Sequence, residues 1–260
     1  MKSKKSVFAL LAGMVFSSSA CAETPPTWWQ PTPGTSWQIQ LQGTINTSYQ
    51  VQMYNLDLYD TPQSVIDTLH TRGVKVVCYF SAGTFEDWRS DASAFPPDVL
   101  GNTLADWPGE RWLDIRRIDV LGPIMAARLD LAKAKQCDGV DPDNVDGYSN
   151  SSGFPINAEN QLYYNKWLAE NAHARGLAVG LKNDLNQIAE LVPHFDFAIN
   201  EQCAQYQECN LLSPFIAANK PVFQIEYQGN KTKVCAAANA MNFDALYKRL
   251  DLKSWRLACR

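Results

Sequence analysis

The sequence predicts an α/β fold, a single (β/α)8 barrel, and three observations carry that prediction. Eight strand-like segments alternate with helix-like ones, which implies a parallel sheet. The 260-residue chain, once its N-terminal leader is set aside, is close to the ~250 residues typical of such a barrel. No G-x-G-x-x-G follows a strand, so the doubly wound open sheet, the alternative, lacks its usual cofactor signature.

The N-terminus reads as a targeting segment. A basic "MKSKK", a short apolar "SVFALLAGMVF" and "SSSACA" ending in Ala20-Cys21-Ala22 form a secretory signal with cleavage after Ala22. The apolar run is too short to span a bilayer. A lipoprotein would instead keep Cys21 as its anchored first residue, but Ser18 is a poor substitute for the leucine such sites prefer. The chain therefore divides into a signal peptide (1–22), a Pro-rich leader (23–36) and one catalytic-size domain (37–260), with a secreted or periplasmic destination.

Cleavage removes one of 7 cysteines and leaves an even set, which in an exported chain favours disulfides over thiolate metal sites. Six cysteines allow fifteen pairings. The expected one is Cys203–Cys209, closing a short loop, with Cys78–Cys137 and Cys235–Cys259. Losing Lys2, Lys4 and Lys5 from 23 basic residues against 27 acidic ones moves the net charge from −4 to about −7. That argues against nucleic acid or an anionic membrane as partner, and no second apolar run predicts a membrane span. The mature chain is expected to be a monomer.

Along the chain, "SWQIQLQG" alternates as a strand does, and "YQVQMYNLDLYD" is a second strand stopped by Thr61-Pro62. "PQSVIDTLHTRG" has helical spacing and a Gly73 stop. "VKVVCYFSAG" is an apolar run fit for a strand buried on both faces. A long excursion, Thr84 to Arg117, carries Trp88, Trp107 and Trp112. A helix over 118–135 leads to the short strand "CDGVDPDN". Then come the helix "NAENQLYYNKWLAENAHARG", the strand "LAVGLKND", the helix "LNQIAELV" and the strand "FDFAINEQC". The short helix "LLSPFIAANK", the strand "PVFQIEYQ", the helix "AAANAMNFDALYKRL" and an eighth strand within "DLKSWRLA" complete the pattern. No internal repeat stands out.

In a barrel of this kind the chemistry sits at the C-terminal ends of the strands. Here they end on Asp57, Ser81, Asp141 with Asp143, Lys182-Asn183, Asn200-Glu201, and Gln224 with Glu226. Closure would point these carboxylates at a common centre. Alternation puts Asp141 and Asp143 on one face, with Asp143 at the rim. The segment that holds them, "DPDNVDGY", fails as a calcium loop, since its fifth and sixth positions are Val145 and Asp146. The three histidines, His70, His173 and His194, do not suggest a transition-metal site, so no metal or cofactor is expected. Paired carboxylates suit glycoside hydrolysis, one as general acid and the other as nucleophile or base. The tryptophans of the excursion, Trp88, Trp107 and Trp112, suit stacking on sugar rings, with core packing as the alternative for each.

The blocks "CYFSAGTFEDWR", "WLDIR", "CDGVDPDNVDGY", "GLKND" and "INEQC", in this order, resemble glycoside hydrolase family 114, whose members are (β/α)8 enzymes described as endo-α-1,4-polygalactosaminidases. The resemblance implies catalysis by an Asp of the DPDN block, Asp143 as nucleophile or base with Asp141 on the same face as its alternative, and by Glu201 as acid. It implies substrate binding by Asp57, Asp141, Asp146, Lys182, Asn183, Glu226 and Trp88, and a polysaccharide substrate that is cationic when not acetylated. A non-catalytic carbohydrate-binding barrel, or a glycosidase of the same mechanism on a different α-glycan, is the alternative.

Overall fold

The computed structural model describes residues 26–260. The expected signal peptide, with Cys21, lies outside the described residues, as does the start of the leader. Strands β1 (Trp37–Gln40), β2 (Met53–Asp57) and β3 (Lys75–Ser81) are followed by a small antiparallel sheet of β4 (Thr84–Glu86), β5 (Leu100–Thr103) and β6 (Glu110–Leu113). The main sheet then continues through β7 (Gly139–Asp143), β8 (Ala178–Lys182), β9 (Phe197–Glu201), β10 (Val222–Glu226), β11 (Asp244–Tyr247) and β12 (Leu257–Ala258). Its order is β1-β2-β3-β7-β8-β9-β10-β11-β12, with every pairing parallel except β11 with β12.

Helices α1 (Gln63–His70), α2 (Ile118–Ala134), α3 (Ala158–His173), α4 (Ile188–Leu191), α5 (Cys203–Tyr206), α6 (Ser213–Ala217) and α7 (Lys231–Ala240) supply the crossovers. Asn157 caps α3 with a reciprocal capping box to Asn160, which satisfies two otherwise orphaned N–H groups. The helices cover the outer face of a curled sheet through one large apolar cluster. A second cluster lies on the inner face and joins Trp37, Ile39, Met53, Val77, Ala178, Phe197, Ile199, Phe223, Ile225 and Leu246 from seven strands. Gly180 is required there, because a Cβ would come within 2.3 Å of the Phe197 ring.

Two expectations are corrected. The eighth parallel strand is β11, inside the segment expected as the last helix. That helix ends at Ala240; Asn242 then takes a left-handed φ of 60° and Phe243 turns into the core. The "DLKSWRLA" segment supplies only the two-residue antiparallel β12. It bridges β11 and β1: Gln38 donates to the Ser254 carbonyl (2.8 Å), Leu41 N–H to that of Leu252 (3.0 Å), and Arg256 to that of Trp37.

The leader is docked rather than merely extended. Trp28 stacks on His173 at 3.9 Å and donates to Asp196, while Trp29 packs against the inner cluster. All three expected disulfides form: Cys78–Cys137, Cys203–Cys209 and Cys235–Cys259. Among the described residues no helix is long and apolar enough to cross a membrane.

Candidate active site

Strand alternation decides which side chains reach the inner face. Val77, Ala178, Phe197 and Ile199 belong to the inner cluster. Two- and four-residue steps along the same strands therefore place Tyr79, Lys182 and Glu201 inward, and the register of β7 on β3 aligns Tyr79 with Asp141 and Ser81 with Asp143. Above the apolar floor these polar residues form one cluster at the C-terminal edge.

Lys182 is its centre. Its Nζ lies 3.2 Å from Asp143 Oδ1 and 3.1 Å from Glu201 Oε1, and its side chain is only 3 % exposed. Burial alone would depress the ammonium, but Asp143, Glu201 and Asp141 together hold it well above its ordinary range. Asp143 accepts two further hydrogen bonds, from the Tyr79 hydroxyl (2.9 Å) and the Asn144 N–H (2.7 Å). The Tyr227 phenol faces Glu201; burial and then that carboxylate push it far up, so it stays a donor. Asn183 Oδ1 accepts the Glu201 N–H (3.0 Å) and so fixes the end of β9 rather than facing open solvent.

Asp141 lies below, fully buried. Its Oδ2 accepts from Asn55 (2.6 Å) while Oδ1 has no partner, and desolvation, opposed by Lys182, raises it to about 6. Asp146 is raised to about 6 by burial and by Asp143, and the buried Asp184 to about 7 by burial and by Asp146. Glu110, from β6, is raised to about 7 by burial, with Glu86 and Asp143 adding to it. The rim is thus crowded with carboxyl groups, several of them tuned toward neutrality.

The chain turns sharply at each of these strand ends. Asn144, Asn183, Asp184 and Gln202 all take left-handed φ values between 47° and 67°, a conformation Asn and Asp tolerate best. Gly83 must be glycine, since a Cβ would sit 1.6 Å from the Asn144 carbonyl oxygen. Its N–H and that of Ala82 both donate to the Asp143 carbonyl, which locks the loop after β3 onto the end of β7.

Three expected substrate contacts lie elsewhere. Asp57 is inward but occupied: Arg89 grips it through two bonds of 2.7 and 3.0 Å while also gripping Glu86. Glu226 points to the opposite face of β10, because Phe223 and Ile225 take the inner positions. There it accepts from Gln224 and the Ala204 N–H beneath the Cys203–Cys209 disulfide. Trp88 is half exposed in the turn after β4, and Trp107, also half exposed, lies in the connection between β5 and β6. Conversely, Tyr79, Tyr227 and Asn55 were not expected. Tyr79 was legible as a residue two steps before the end of an inward strand. Among the described residues one triad has metal-ligand spacing, Cys203, Cys209 and Glu226, but both cysteines are spent on their disulfide.

The model of glycoside-hydrolase family GH114 matches residues 18–260. The chain belongs to glycoside-hydrolase family GH114. Ega3 of Aspergillus fumigatus, solved in complex with galactosamine, is 39% identical over 94% of this chain and 100% of its own, with a TM-score of 0.84. The glycoside hydrolase domain of PelA from Pseudomonas aeruginosa is similar in fold alone, at 13% identity over 86% of this chain and 97% of its own, with a TM-score of 0.67. No curated protein sequence matches. The protein is accordingly a glycoside hydrolase, and four of its five sequence blocks run through the C-terminal ends of β3, β7, β8 and β9, while "WLDIR" lies on and after β6.

Proposed function

We propose that the protein is an exported, endo-acting hydrolase of α-1,4 linkages in a galactosamine-containing polysaccharide, working on a closed (β/α)8 barrel with Asp143 as nucleophile and Glu201 as general acid and base. The observation that carries this reading is the shared contact with Lys182. An ammonium 3.2 Å from one carboxylate and 3.1 Å from the other keeps their near oxygens no farther apart than those two contacts laid end to end. Near oxygens held that close support the ~5–5.5 Å spacing of retaining enzymes over the ~6.5–9.5 Å left for water in inverting ones.

In the first step Asp143 attacks the anomeric carbon and forms a glycosyl ester. Glu201 gives its proton to the glycosidic oxygen, which departs with the bond's electron pair as the new chain end. Water then attacks the same carbon, losing its proton to Glu201 and releasing Asp143. Three donors converge on Asp143, which suits a group that works as an anion, whereas Glu201 is the more exposed and better able to reach a leaving group. The carboxyl-rich rim supports a cationic substrate, the galactosamine bound by Ega3 supports the sugar, and three disulfides support export.

The deciding experiment is oligosaccharide release from de-N-acetylated and N-acetylated α-1,4-galactosamine polymers, with Glu201→Gln as control and NMR of the first-formed anomer. Release by the wild type alone, with α product first, is expected. Binding without release would move the reading to a carbohydrate-binding barrel; β product first would overturn double displacement.

A further inference from the structure

We propose that a second pocket, set between the loops after β1 and β2, binds one amino-sugar unit of the chain away from the point of cleavage. The inference rests on the galactosamine-polymer reading and extends it. The cavity holds about 580 Å³ and is lined by Leu41, Thr44, Ile45, Asp60, Thr61 and Val65, among others. That volume falls within the ~300–1,000 Å³ of small-molecule sites.

The pocket opens at the same edge of the sheet as the Lys182 cluster. β3 alone separates β2 from β7, so two strand spacings, about 10 Å, part the end of β2 from Asp143.

It is a built site rather than a gap between loops. Buried Gln40 donates to the carbonyls of Gln42 and Thr44 and accepts the Asn46 N–H, which folds the first loop around one side chain. The second loop is held by Asp57, whose carboxylate accepts the N–H groups of Tyr59 and Asp60 while Arg89 clamps it from the other side. Lys135 fixes the Thr61 carbonyl at 2.6 Å.

One group in this frame lacks a partner that a sugar would supply, and a second is paired only loosely. Thr61 is 3 % exposed, yet its Oγ1 makes no hydrogen bond, and an unpaired buried hydroxyl costs about 1–3 kcal/mol. Asp60 keeps its side chain 78 % exposed, with Arg89 no nearer than 3.7 Å. An acceptor of full charge beside an idle hydroxyl suits a protonated amine next to a ring hydroxyl. Leu41, Ile45 and Val65 offer the apolar wall that a pyranose face needs. The wall at Val65 belongs to the first turn of α1.

The test compares wild type, Asp60→Asn and Thr61→Val on a long de-N-acetylated α-1,4-galactosamine polymer, and measures by calorimetry the binding of the corresponding pentasaccharide to Glu201→Gln with and without Asp60→Asn. Loss of binding shared by ground and transition states raises KM and spares kcat. Both variants are expected to raise KM about five- to tenfold with kcat within about twofold, to shift the lengths of the products, and to weaken pentasaccharide binding by a similar factor. An N-acetylated pentasaccharide should be indifferent to Asp60→Asn. Equal KM, product lengths and binding in variant and parent would overturn the subsite even if the wild type cuts the polymer. A wild type inactive on every galactosamine polymer would overturn the functional reading instead, and the binding measurement would still decide the subsite.

Discussion

Asp143 and Glu201 occupy the same place in two copies of one local design. Each stands five residues after an aspartate, Asp138 or Asp196, that precedes its strand. Asp138 accepts the Val76 N–H and meets His70 at the end of α1; Asp196 accepts the Val179 N–H and meets His173 at the end of α3. Both histidines begin an H-x-R-G turn into the next strand, His70 to Gly73 and His173 to Gly176. The repeat is hard to see along the chain because 68 residues separate the first His–Asp pair and only 23 the second, the excursion carrying β4 to β6 lying between.

Replacing either carboxylate with its amide keeps shape and removes charge. Asp143→Asn and Glu201→Gln are each expected to cost about 10²–10⁴ in kcat, with circular dichroism and Tm near those of the wild type. Asp141→Asn should cost much less, since its position beneath the rim touches Asn55 rather than open space. An Asp141→Asn variant as dead as Asp143→Asn would exchange their roles.

Lys182→Met should be damaging twice over. It leaves Asp143, Glu201 and Asp141 crowded without their cation. Breaking a buried pair costs about 3–5 kcal/mol, and the partial exposure of Asp143 and Glu201 puts this case at the lower end. Denaturant unfolding measures that loss.

The raised carboxyl groups set a pH dependence of stability. Asp141 and Asp146 at about 6, and Asp184 and Glu110 at about 7, hold protons in the folded state that the unfolded chain releases near pH 4. Their contribution is complete below that range and is lost as pH rises to 7. Asp91, Asp119 and Asp130 are held below the usual carboxylate range, so their contribution is already complete at pH 5. Tm is expected to fall between pH 5 and pH 7, by about 2–4 °C for each kcal/mol. Asp184→Asn should narrow that fall; an unchanged slope would remove Asp184 from the account.

The disulfides differ in the loops they close. Cys78 and Cys137 are 59 residues apart, Cys203 and Cys209 only 6. Loop-closure entropy predicts losses of about 4 and about 2 kcal/mol on removal. Activity should rank the other way, since the short bridge directly follows Glu201. Paired Cys→Ala variants, compared by urea midpoint and by kcat, check both orders.

The parallel strands were legible because burial on both faces leaves continuous apolar runs such as "VKVVCYFS". β11 was not, because "NFDALYKRL" continues an alanine-rich helix without a Gly or Pro, and a single left-handed Asn242 ends it. Alternation found Asp141 and Asp143 but not the outward aim of Glu226. On β10 the inner floor is itself apolar, so polarity does not name the inner face. Asp57 read as free because its partner Arg89 lies 32 residues away, within the excursion.

The strand that bridges β1 and β11 comes after all the others in the chain, and Cys235–Cys259 pins it to α7. Neighbouring strands can pair as they are made, but the seam waits for residues 252–258. The free edge of β1 therefore stays without its bonds to Leu252, Ser254 and Arg256 until that segment arrives.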